Sequence, residues 1–120
     1  IGFRGLCFNV SLLSIENFRE FSSSSNIAYF DYHKTGPNLK MRFFRPGDRF
    51  IPLGMKGRKK IKSFFIDEKI AQDERKLIPF LTTENDFIIW VYEKRIGENY
   101  RVTDKTSKII KIEGVMKRSI

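Results

Sequence analysis

Apolar residues alternate with polar ones at Phe8, Val10 and Leu12, so Phe3 to Ile15 reads as one or two strands, interrupted near Gly5. Ser14 to Phe21 reads as a helical turn, with Ser14 and Asn17 as a poor capping box, and Ser22 to Ser25 as an exposed loop. Ile27 to Tyr32 is a short strand closed by the Thr35-Gly36-Pro37-Asn38 turn. Leu39 to Phe44 sets Leu39, Met41 and Phe43 on one face of a strand and the cations Lys40 and Arg42 on the other. After a Gly54 to Gly57 turn, Ile61, Phe64 and Phe65 stand at helical spacing, which predicts one amphipathic helix over 58–70 that leads with Lys59, Lys60 and Lys62. Those cations oppose the helix dipole, and an anion at the helix start would reverse that penalty. A second turn at Gln72 to Leu77 stops before Pro79, Phe80 to Tyr92 folds as a hairpin about Thr83 to Asp86, and Glu98 to Thr103 and Ile109 to Glu113 supply the last strands. The pattern predicts an α+β domain, mainly β, of short antiparallel strands with one amphipathic helix.

A chain of 120 residues with 14% aromatics has room and material for one core. The longest apolar run, Phe87 to Tyr92, falls far short of the roughly 20 residues a spanning helix needs, so no membrane role and a cytoplasmic location are expected. A lone Cys7 excludes an intrachain disulfide and makes Asn9-Val10-Ser11 a chance sequon. The formal net charge of +9 is unevenly spread. Residues 40–62 hold nine cationic side chains against Asp48 alone, interleaved with apolar residues and with two turn-forming stretches, Arg45 to Arg49 and Gly54 to Gly57. A charge run is often only a solvated face, but this one belongs to folded structure and suits a phosphate-facing surface. Arg45 and Arg49 are the leading RNA-binding candidates because a guanidinium grips phosphate with two donors; Lys56, Arg58, Lys59, Lys60, Lys40 and Arg42 follow. Asp48 is expected to brace its neighbouring arginines, and Gly47, Gly54 and Gly57 to take positive φ.

Catalytic groups are hard to find. His33 has no second ligand near it in sequence, and Asp67, Glu68, Asp73 and Glu74 read better as partners of Lys69, Arg75 and Lys76 on helical turns than as a magnesium site for a nuclease. The glycines and lysines of 54–60 miss the phosphate-loop spacing. No catalytic residue and no metal ligand is assigned. Phe50, Phe64, Phe65 and Trp90 lie on apolar faces and read as core before they read as base-stacking platforms.

The stretch RPGDRFIPLGMKGRKKIKSFFIDEKI, beginning at Arg45, resembles the C-terminal domain of bacterial tRNA(Ile)-lysidine synthetase. The likeness continues through Glu74-Arg75, Ile78-Pro79, Ile89-Trp90-Val91, Arg95-Ile96 and Tyr100 to Thr103. It implies a segment at 1–26 leading into a tRNA-binding domain at 27–116, followed by a tail at 117–120. It implies a compact β-sandwich-like fold similar to a domain of the phenylalanyl-tRNA synthetase β subunit. It also implies tRNA(Ile) as partner, met on its acceptor-stem side. A catalytic domain of the same polypeptide would carry a Ser-Gly-Gly-x-Asp-Ser loop and use ATP, magnesium and lysine to modify the wobble cytidine. This chain, starting at Ile1 without Met, would be a piece that needs no cofactor of its own. Three positions depart from the family pattern: Phe44 replaces a frequent Arg, Ala71 a common Pro after the helix, and Glu93 a frequent Gly after the Trp strand. The competing reading is a module for homodimerisation or interdomain packing, without RNA contact.

Overall fold

The computed structural model describes residues 2, 3 and 5–116; Ile1 and the expected tail at 117–120 lie outside the described residues. Three layers stack through two apolar clusters. The first sheet joins β1 (Gly2–Phe3), β2 (Leu6–Ser14), β10 (Lys108–Met116) and β3 (Ile27–Asp31) in that order, all antiparallel. β2 and β10 are paired over nine residues, from Leu6 opposite Met116 to Ser14 opposite Lys108. The segment expected to lead into the domain is thus built into its largest sheet.

The second sheet orders β4 (Lys40–Arg42), β7 (Phe80–Thr82), β8 (Ile88–Val91) and β9 (Arg95–Ile96). It is the middle layer, which explains why every residue of β8 is apolar and buried, since a strand covered on both faces has no polar side. One face, with Leu81, Ile89, Trp90 and Tyr92, packs on Phe8, Phe30, Ile110 and Ile112 of the first sheet. The other, with Phe80, Ile88 and Val91, packs on Phe50, Ile61, Phe64 and Phe65. Gly114 of β10 is needed where it stands: a Cβ there would overlap the Tyr92 ring, which Phe8 and Trp90 hold at centroid distances of 5.1 Å each.

The third layer is α2 (Ile61–Asp67) with a two-stranded ribbon of β5 (Arg49–Phe50) and β6 (Lys59–Lys60). The expected stripe Ile61, Phe64 and Phe65 is the buried face of α2. The helix begins later than its periodicity suggested, because Lys59 and Lys60 extend to pair with Arg49 and Phe50, so they precede the helix instead of opening it. The Ile61 N–H, which has no partner inside the helix, donates to Asp48 O at 2.9 Å. At the other end Lys69 takes φ 57°, its N–H meets Ile66 O, and the Ile70 N–H meets Phe65 O at 2.9 Å. This is a Schellman ending without glycine, and both Ile70 and Phe65 are in the apolar cluster, as that motif's hydrophobic contact requires.

Two short helices, α1 (Tyr32–Thr35) and α3 (Gln72–Arg75), and 3-10 turns at Ile15–Asn17 and Glu98–Tyr100 complete the chain. The strand expected over Glu98 to Thr103 is therefore a 3-10 turn running into loop; the edge position is filled by β9. Likewise Tyr32 opens α1, with Asp31 accepting from the His33 N–H at 3.0 Å, and does not close β3. Among the described residues no helix is long and apolar enough to cross a membrane. The expected class, mainly antiparallel β with few helices, is the observed one.

Candidate nucleic-acid interface

Arg45-Pro46-Gly47-Asp48 is a β-turn closed by the Asp48 N–H on Arg45 O at 3.1 Å, with Gly47 at φ 91°. Pro at the second position and a left-handed third residue are what a type II turn demands. Pro52-Leu53-Gly54-Met55 is a second such turn, with Leu53 at its second position: the Met55 N–H meets Pro52 O at 2.9 Å, and Gly54 has φ 88°. Gly57 does not take positive φ, contrary to expectation, so the second turn is completed without it. The second turn is tied down by Gly54 N–H to Glu98 Oε1 at 2.8 Å and Leu53 N–H to Ile96 O at 3.0 Å. The Gly54 N–H bond, followed by Arg101, holds the Glu98 carboxyl below its usual range.

Asp48 is an internal brace, but of a different arginine from those expected. Its two carboxylate oxygens accept from Nη1 and Nη2 of Arg42 at 2.9 and 3.0 Å, and Oδ2 also takes the Arg45 backbone N–H at 2.8 Å. Arg42 Nε donates to Asp86 Oδ1 at 2.7 Å, and its guanidinium lies 6.0 Å from the Phe80 ring centre. With only 11% of its side chain exposed, Arg42 is a strut inside the site and not one of two cations presented on the outer face of β4. Asp48, ahead of Asp86, raises its already high pKa. Arg45 is 63% exposed but shares Asp86, at 3.0 Å. Lys59, on the Phe50 side of the ribbon, pairs with Asp67 at the end of α2. Three of the nine cations of 40–62 are thus paired, each with a carboxylate from outside that segment, Asp86 for Arg42 and Arg45 and Asp67 for Lys59.

Lys40, Arg49, Lys56, Arg58, Lys60 and Lys62 are exposed, and none has an ion-pair partner among the described residues. Arg49 lies directly opposite Lys60 in the ribbon, so the two share its outer face while Phe50, 5% exposed, is buried beneath. Like charges opposite one another repel across a strand pair. Among the described residues no carboxylate pairs with either. Arg49 and Arg58 also line a cavity of about 260 Å³ with Asn99, Tyr100 and the exposed Phe87.

Three of the clustered carboxylates of 67–74 are divided among cations of other elements: Asp67 with Lys59, Glu68 with Arg95 at 3.2 Å and Glu74 with Lys94 at 3.3 Å. These are contacts between elements, not the helical i, i+4 pairs expected. The sequence reading did not select Lys62, Gln72, Arg75 and Lys76, which line one cavity beside the Arg45 turn. The i, i+3, i+4 spacing of the last three was a usable signal, but their meeting with Lys62 depends on the bend after α2.

The structure is thus a small, mainly β domain that holds unneutralised cations on a rigid ribbon. The family described as TilS substrate C-terminal domain matches residues 39–113, and the chain belongs to it. It is 40% identical over 106 residues to a tRNA(Ile)-lysidine synthase of Caldanaerobacter subterraneus subsp. tengcongensis, covering 88% of this chain and 22% of that protein. It is 44% identical over 93 residues to one of Clostridium perfringens, covering 78% and 19%. The chain therefore spans about a fifth of the length of these curated relatives. A crystal structure of a TilS C-terminal domain superposes with a TM-score of 0.77 at 22% identity, over 97% of this chain and 88% of that one. An N-terminal fragment of the phenylalanyl-tRNA synthetase β subunit from Pyrococcus horikoshii shares the fold at a TM-score of 0.63 and 19% identity, over 73% and 27%.

Proposed function

We propose that this domain is the accessory tRNA-binding part of a tRNA(Ile)-lysidine synthase and docks its basic ribbon on the acceptor-stem side of tRNA(Ile). The observation that carries this reading is the facing pair Arg49 and Lys60, exposed and without a carboxylate between them. A phosphate placed over the pair turns a repulsion into two charge-assisted contacts. Lys56 and Arg58 extend the surface along the adjoining loop, and Arg45, steered by Asp86, stands at its other end. An A-form stem offers mainly phosphates and 2′-hydroxyls, so a rigid set of cations with little base-reading apparatus suits it. The whole enzyme would ligate lysine to the wobble cytidine in the cytoplasm. ATP, magnesium and lysine would be handled by its catalytic domain. The residues of this chain do not fit them, since it contains no Ser-Gly-Gly-x-Asp-Ser loop and three of its clustered carboxylates are held by Lys59, Arg95 and Lys94.

Titration with a blunt-ended RNA stem in rising salt tests the reading. About four phosphates contacted by the ribbon give a slope of log K against log salt of roughly −3 to −4. A flat response, or no binding at low salt, rejects it. A packing module remains the second reading. Val10 and Leu12, 51% and 48% exposed, continue the apolar face of Leu6 and Phe8 along β2. A monomer in sedimentation that also gives the salt slope favours RNA contact over self-association.

A further inference from the structure

A cavity of about 550 Å³ opens between the Arg45 turn, α2 and α3, within the roughly 300–1,000 Å³ of small-ligand sites. One wall is aromatic: Phe44, half-buried, is fixed edge-on against buried Phe65 at a centroid distance of 5.8 Å, and Pro46 lies beside it. The rim is cationic. Lys60, Lys62 and Lys76 are exposed and have no ion-pair partner among the described residues.

α3 sorts its side chains so as to favour an anion here. Gln72, Arg75 and Lys76 line the cavity, while Glu74 turns away to Lys94. Arg75 is held in place by Nε on Ile70 O at 2.8 Å and lies 5.9 Å from the Phe65 ring centre. Asp48, the carboxylate in the lining, has its oxygens committed to Arg42 and the Arg45 N–H. Lys60 belongs both to this rim and to the ribbon pair with Arg49, so a nucleic acid lying on the ribbon reaches the cavity without a break in the charged surface.

We infer that the cavity seats one unpaired RNA nucleotide, its base against Phe44 and its flanking phosphates on Lys60, Lys62 and Lys76. Base stacking on a fixed aromatic ring tolerates any base, and the Gln72 amide supplies a donor and an acceptor for a base edge. This inference rests on the RNA-binding reading for its polymer, but its test does not need the stem.

The 120-residue chain is titrated with a single-stranded RNA tetranucleotide while backbone amide shifts are followed, with inorganic phosphate at equal concentration as the control. The expected result is saturable shifts at Phe44, Gly47, Gln72 and Lys76 with the oligonucleotide and not with phosphate. Phe44→Leu weakens this binding about tenfold. Because that change also loosens the packing on Phe65, Lys62→Glu with Lys76→Glu, both exposed, provides a second arm with a similar loss. Shifts elsewhere, equal shifts with phosphate, or unchanged affinity in the Lys double variant overturns the inference, even where a blunt stem binds. Oligonucleotide shifts at this cavity without stem binding would instead leave it standing and reject the stem reading.

Discussion

Lys94, Arg95 and Arg101, around β9, each meet a carboxylate: Glu74, Glu68 and Glu98 at 3.3, 3.2 and 2.6 Å. Arg49, Lys56, Arg58, Lys60 and Lys62, on and beside the ribbon, meet none among the described residues. Both groups are cationic in sequence, yet only the second keeps its charge available to a partner. Cation density alone does not mark a surface for an anion. What marks it is charge that the fold has had the chance to neutralise and has left unpaired. Between the groups stands Arg42, fully engaged and largely buried, which belongs to the basic segment by sequence and to the framework by structure.

The largest expected effect breaks that framework. Arg42→Ala leaves Asp48 and Asp86 facing each other's field without their shared cation and frees the anchor of the Arg45 turn. Removing one partner of a largely buried ion pair costs about 3 kcal/mol. Thermal or urea unfolding should show that loss, whereas Arg95→Ala, at a half-exposed pair, should stay within about 0.5 kcal/mol of the parent. Equal losses in the two variants would mean that Arg42 braces nothing.

Next comes the contrast in binding. Arg49→Ala with Lys60→Ala should weaken stem RNA about tenfold at moderate salt and lower the salt slope by roughly 2. Arg95→Ala with Arg101→Ala should change affinity less than twofold, since those cations are already satisfied. Matching losses would place the contact on both surfaces and remove the distinction drawn between them.

The parts of this arrangement that the sequence revealed are local. The Pro46-Gly47 turn, the Ile61, Phe64, Phe65 stripe and the all-apolar β8 each carry their cause within a few residues. The start of α2 was misplaced because two extended residues, Lys59 and Lys60, gain partners only when Arg49 and Phe50 come alongside. The fate of individual cations was hidden for the same reason. Asp86 lies 44 positions from Arg42, and nothing in the 40–62 segment hints that it will take Arg42 and Arg45 both. The charge of the 40–62 segment is local in sequence, whereas which of its cations stay free depends on carboxylates that only the tertiary fold brings near. Glu93 holds φ 62°, a left-handed conformation that a residue with a side chain tolerates less well than glycine does.

The smallest expected effect is at Asp86, which sits at φ 73° on the boundary between framework and surface. The hydrogen bond from Arg42, ahead of the opposing effect of burial and the charges of Arg42, Arg45 and Lys40, holds its carboxyl below the usual 3.8. The unfolded chain therefore takes up this proton at higher pH than the folded one does, and the stabilisation is complete above the ordinary carboxylate value and vanishes as pH falls through the lower, folded one. Asp86→Asn tolerates the same left-handed backbone, removes the charge and leaves one acceptor oxygen where Arg42 and Arg45 now use two. At pH 7 it should lower the melting temperature slightly, with the gap to the parent closing as the pH is taken below about 4. At pH 7 it should also raise affinity for stem RNA about twofold, because Arg45 is released and a repelling carboxylate is lost. A melting gap that persists unchanged at pH 2 would show that Asp86 acts through packing, and an unchanged affinity would show that Arg45 lies off the RNA path.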